Sequence, residues 1–134
     1  FFHHPPWEGG KRPPDDKICT TLVPALEAGG ADVVFCGHNH IYERTYPLRN
    51  GLAVTPANGV LYITSGTGGK SLDKERNTAS TRLAYFNNSQ FSFTWVHVES
   101  DRVEIEQIGE TDTLLDRVVL SRPCENQPSD PQGG

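Results

Sequence analysis

Val33-Val34-Phe35-Cys36-Gly37-His38-Asn39-His40 is the stretch that decides the fold. Four apolar residues between Asp32 and Gly37 have the length and flanks of a short buried strand. The glycine is expected to turn the backbone sharply, and two imidazoles follow with one residue between them. Open α/β sheets gather ligands outside the carboxyl ends of their strands, and this pair stands at such an end. Neutral imidazole is the commonest side-chain ligand of transition metals, so a strand-end His-x-His is a candidate metal site.

The chain has five histidines. Four of them fall in two clusters, His3-His4 and His38 with His40. In the first cluster Phe1-Phe2 closes an apolar run, and Pro5-Pro6-Trp7 imposes an extended loop after the imidazoles. The clusters lie about 30 residues apart, enough for a strand-helix-strand crossover. Neighbouring strands would bring both to one site.

Residues 8–17 read as a polar loop. Ile18, Leu22 and Leu26 then recur at four-residue spacing, with Gly29-Gly30 as a stop signal. Pro24 predicts a kink, or a helix that begins near Thr20 or Thr21. After strand 32–36 and its histidines, Ile41 to Pro47 continues as an aromatic and charged stretch. A polar excursion follows through Asn50-Gly51 and Asn58-Gly59.

Strand 60–64 runs into Ser65-Gly66-Thr67-Gly68-Gly69. That cluster lacks the Gly-Lys-Ser/Thr of a phosphate loop, so it reads as backbone packed close under a strand-end site. Residues 70–90 are expected to be irregular. Three strands close the domain: Phe91 to Val98, Val103 to Ile108 and Asp116 to Leu120, with Ser100-Asp101 as a hairpin turn. Phe91, Phe93 and Trp95 at period two are expected in the core, and His97 as a packed or hydrogen-bonded imidazole. The chain is expected to hold at most one domain, with residues 1–122 as part of it and 123–134 as a disordered tail.

Composition excludes several classes. A net charge of −5 disfavours nucleic-acid backbone as the main partner. No apolar run approaches the roughly 20 residues that span a bilayer. The chain has no methionine, even at position 1, and is expected to be a piece lacking an N-terminal part. Cys19, Cys36 and Cys124 show no C-x-x-C spacing; Cys36 is expected as a buried small hydrophobe, and the state of the others stays open. Asn87-Asn88-Ser89 has the form of a glycosylation acceptor, a pattern short enough to recur by chance.

Phe1-Phe2-His3-His4-Pro5-Pro6-Trp7 and Gly37-His38-Asn39-His40-Ile41-Tyr42-Glu43-Arg44-Thr45-Tyr46-Pro47 together resemble the last two metal-binding blocks of the calcineurin-like metallophosphoesterases, in the purple acid phosphatase branch. Leu61 to Gly66 and the 91–108 hairpin are similar to that family's distal strands. The resemblance implies an α/β fold, the C-terminal half of a four-layer α/β/β/α sandwich holding two metal ions at strand ends. It implies metal-dependent hydrolysis of phosphate esters, and a secreted or extracytoplasmic location.

Carried over by residue, the resemblance gives His3 and His38 to the second, divalent ion (zinc, manganese or iron) and His40 to the first, iron in the purple branch. His4, Tyr42, Glu43 and Arg44 would buttress those ligands without binding metal. The family's three earlier blocks, with the bridging aspartate and the acid-base histidine, do not occur in this sequence. They are expected in a missing N-terminal half. Three imidazoles cannot hold two cations about 3.5–4 Å apart without a bridging carboxylate, so this chain alone is expected to be inactive. The alternative is a non-catalytic metal-binding or interaction module on the same scaffold.

Overall fold

A computed structural model describes residues 1–7, 9–10, 14–76 and 80–122. The expected tail at 123–134, with Cys124, lies outside the described residues. Among the described residues nine strands form three sheets. Strands β1 (Val33–Cys36), β2 (Tyr42–Thr45), β5 (Leu61–Ser65) and β6 (Leu83–Asn87) make the first, in the order β1-β5-β2-β6. Strands β3 (Leu48–Arg49) and β4 (Leu52–Ala53) form a small hairpin through Asn50-Gly51. Strands β7 (Ser92–Val98), β8 (Arg102–Gly109) and β9 (Leu114–Ser121) form an antiparallel meander.

β1 pairs parallel with β5, Val33 opposite Leu61 through Cys36 opposite Thr64. Both faces of this pair are covered. Val34, Cys36 and Tyr62 pack with Val23 and Leu26 on the helical side. Leu61 and Ile63 pack with Ile105, and Val33 and Phe35 join them, between the two larger sheets. Coverage on both faces explains why the deciding stretch is continuously apolar instead of alternating. Burial pushes the Cys36 thiol up to about 12, so it stays protonated and acts as packing.

The helix departs from its four-residue pattern. Ile18–Leu22 is a π-helical turn, and α1 (Val23–Ala28) follows with Pro24 in its first turn. The Val23 N–H donates to the Ile18 carbonyl, five residues back. Proline has no N–H and crowds the carbonyl four residues before it, and the wider turn accommodates both effects. The register therefore shifts by one: Val23 is buried and Leu22 is exposed. Gly30, at φ +70°, ends the helix in the left-handed conformation that glycine tolerates best.

Two further expectations are corrected. Residues 70–90 are not irregular throughout, because β6 pairs antiparallel with β2 from Leu83 to Asn87. Its residues are all half-buried, so no alternation announces it. Phe91, Phe93 and Trp95 are not core: they are 37%, 56% and 59% exposed, Phe91 just before β7 and the other two on the face of β7 turned away from the first sheet. The alternate residues of that meander, Ile105, Val103 and Val118, carry the packing. Period two fixes which residues share a face and leaves open which face is covered.

Candidate metal centre

Residues 1–3 run beside β1. The Phe2 N–H donates to the Phe35 carbonyl at 3.2 Å, and the Gly37 N–H to the His3 carbonyl at 3.1 Å. The two histidine clusters thus leave adjacent extended segments at the same end. His38 Nδ1 and His3 Nε2 are 3.1 Å apart. His3, His4 and His38 each offer a ring nitrogen, all within 4.8 Å of one another. The His4 and His38 rings are 4.1 Å apart between centroids, nearer than either is to His3.

The sharp turn falls on His38, at φ +65°, and not on Gly37. A non-glycine residue held there carries on the order of 1–3 kcal/mol of strain. Its neighbours supply the restraint. The Asn39 N–H donates to the Gly37 carbonyl at 2.8 Å, and Asn39 is 1% exposed. Gly66 presses against this loop from below: a Cβ there would lie 1.8 Å from the Asn39 carbonyl oxygen. Of the glycines after β5, Gly66 alone is packed close under the histidine loop; a Cβ on Gly68 or Gly69 would meet nothing within 4 Å.

His40 is held separately. Its N–H donates to Asp73 Oδ2 at 2.9 Å, and its Nδ1 lies 3.0 Å from the Ser71 carbonyl oxygen. A carbonyl only accepts, so Nδ1 carries the proton and Nε2 keeps its lone pair. His40 stands outside the three-imidazole group but lines the same open cavity, of about 480 Å³, with His3, His38, Ser65, Gly66, Gly68 and Lys70.

The three residues after Ile41 diverge. Glu43 is 1% exposed; its Oε2 accepts the Gly9 N–H at 2.6 Å and its Oε1 the Thr64 hydroxyl at 3.1 Å. It ties the loop that follows His3-His4 to the strand that ends at the cavity. Tyr42 and Arg44 point to the opposite face. The Tyr42 hydroxyl donates to Asp116 Oδ2 at 2.9 Å, and Arg44 binds both Asp116 oxygens at 2.6 and 2.9 Å. Burial would raise the Asp116 carboxyl, but the Arg44 contact outweighs it and holds the group below its ordinary value. Burial, and then Asp116, push the Tyr42 phenol well above its usual range.

Sequence reading missed Asp73, Ser71, Lys70 and Asp116. Only Asp116 left a signal, an acid inside Leu114-Leu115-Asp116-Arg117-Val118-Val119-Leu120 that asks for a buried partner.

The donor set accommodates one borderline transition ion. Two nitrogens each about 2.0–2.1 Å from a tetrahedral ion lie roughly 3.3 Å apart, close to the His3–His38 spacing. The group formed by His3, His4 and His38 contains no carboxylate.

No family model matches the chain. Purple acid phosphatase 18 of Arabidopsis thaliana is 33% identical over 93 residues, covering 66% of this chain and 21% of that protein. The chain resembles the calcineurin-like metallophosphoesterases of the purple acid phosphatase branch, over a C-terminal part of that fold. Two solved structures share the fold. Purple acid phosphatase PPD1 from yellow lupin (Lupinus luteus) seeds superposes with a TM-score of 0.74 at 18% identity, over 91% of this chain and 24% of that one. GAP50, the anchor in the inner membrane complex of Plasmodium, superposes with 0.70 at 13% identity, over 89% and 34%. The chain spans about a fifth of the curated relative and matches a C-terminal region of the phosphatase fold. It is a phosphoesterase scaffold. No helix among the described residues is long and apolar enough to cross a membrane.

Proposed function

We propose that the intact protein hydrolyses phosphate esters, and that this chain supplies the imidazole side of its metal centre. The supporting observation is the convergence of His3, His4 and His38 within 4.8 Å, with His40 across the same cavity. His38 and one or both of His3 and His4 would hold one ion, and His40 a second. When bound, such ions supply Lewis acidity toward phosphate oxygens and activate water at neutral pH.

The chain's own residues bind and orient. Ser71 fixes the His40 tautomer so that Nε2 is the donor atom. Glu43 ties the loop after His3-His4 to β5, the strand that ends at the cavity. Lys70 adds a cation to the cavity wall, suited to an oxyanion. A bridging carboxylate and a proton donor for the leaving alcohol would come from outside this chain. The metals would be iron with zinc, manganese or iron, and the substrate a phosphorylated small molecule.

In the full-length protein, His38→Ala or His40→Ala should deplete metal and abolish hydrolysis, read by elemental analysis and phosphate release. Normal metal content in both variants would refute the assignment. The carboxylate-free donor set favours one alternative, a non-catalytic module holding a single ion. One ion per full-length protein, with no turnover, would establish that reading instead.

A further inference from the structure

We propose that Gln107, on the second large sheet, is a positioning residue for the metal centre, an inference that rests on the metal reading above for its functional consequence. Ile105 and Gln107 share the face of β8 that is turned toward the first sheet. Thr94 stands directly opposite Gln107 in the β7–β8 ladder, and Ser92 lies two residues before it on the same face. That inward face is apolar at Ile105 and polar at the end that meets Ser65 and Thr67. Gln107 and Thr67 are fully buried, and Ser92 is 6% exposed.

Both ends of the Gln107 amide are engaged. Its Oε1 accepts the Thr94 hydroxyl at 2.5 Å, and its Nε2 donates to Ser92 Oγ at 2.7 Å. A hydroxyl has one proton, so Thr94, having given its own to Gln107, accepts from the Ser65 hydroxyl 2.7 Å away. On the other side the Thr67 hydroxyl donates to the Ser92 carbonyl at 3.1 Å and accepts from Ser92 Oγ at 2.7 Å. The Ser92 N–H completes the link by donating to the Thr67 carbonyl at 3.2 Å. One buried amide thus ties down both Ser65 and Thr67.

Those two residues flank Gly66. The Gly66 N–H donates to the Ile41 carbonyl at 2.9 Å, and the glycine has no room for a Cβ beneath the Asn39 carbonyl. Asn39 directly follows His38, the residue held at φ +65°. The network therefore fixes the surface on which the strained histidine loop rests, and with it the approach of His38 to His3. An apolar side chain of similar volume would fill the space at Gln107 but would not set the direction of any neighbour. Support of this kind acts on ligand orientation without touching the ion.

The test uses the full-length protein with two readouts. Hydrogen–deuterium exchange on the metal-free protein follows the amides of residues 37–41 and 65–68, and competition with a chromophoric chelator gives the zinc dissociation constant. Gln107→Leu should speed exchange in both segments and weaken zinc binding about 10–100-fold. Thr67→Val, which removes one hydroxyl at similar volume, should act in the same direction, and it decides the matter if Gln107→Leu does not fold. Val118→Ala, which thins the core between the sheets away from this loop, should lower the melting temperature and leave both readouts at wild-type values. Wild-type exchange or wild-type zinc affinity in both Gln107→Leu and Thr67→Val would overturn the proposal, as would equal changes in Val118→Ala. Faster exchange in the variants of a protein whose wild type binds no zinc would instead overturn the metal reading and leave the clamp standing.

Discussion

At the scale of single residues, the histidine loop depends on Gly66 more than on the glycine inside it. A Cβ on Gly66 would meet the Asn39 carbonyl at 1.8 Å, whereas one on Gly37 would find nothing nearer than His3 Nδ1 at 3.9 Å. Backbone cannot rotate away as a side chain can. Gly66→Ala should therefore cost about 1–3 kcal/mol of stability or displace the loop, while Gly37→Ala should cost under about 1 kcal/mol. Thermal unfolding of both variants checks this, and equal costs would contradict it. The sequence marked Gly66 only as one of a glycine cluster; which of those glycines presses on a loop 27 residues away leaves no local trace.

At the scale of elements, β2 divides the molecule. Its Glu43 reaches the loop after the first histidines, and its Tyr42 and Arg44 reach β9 through Asp116. The Arg44 and Asp116 side chains are only 16% and 7% exposed, so the pair joins two sheets out of water. Asp116→Ala would leave a half-buried guanidinium without its partner, at a cost of about 3–5 kcal/mol in denaturant unfolding. The folded carboxyl lies below its ordinary value, so its contribution is present above the unfolded value near 4 and is lost as pH falls through the folded one. The stability gap between wild type and Asp116→Asn should accordingly be full at pH 7 and shrink on acidification below about pH 4. A gap independent of pH would exclude this linkage.

On the scale of the whole molecule, the outer face of the β7–β9 meander carries Phe93 and Trp95 in solvent. Removing a buried tryptophan costs about 3–5 kcal/mol. Trp95→Ala in this chain should cost less than about 1 kcal/mol, since 59% of the residue is already exposed. A loss in the buried range would show that the face is covered.

The sequence by itself determined the parts that local pattern controls. The apolar run 33–36, the paired strands after residue 90 and the histidines at strand ends are written in spacing and flanking residues, and the family resemblance rests on the same short motifs. Tertiary structure alone decided three things. It placed His4 beside His38, brought Asp73 and Ser71 onto His40, and turned Phe93 and Trp95 outward. Each depends on which segments meet across tens of residues. Periodicity records that a strand has two faces, and only packing decides which of them is covered and which side chains converge at its end.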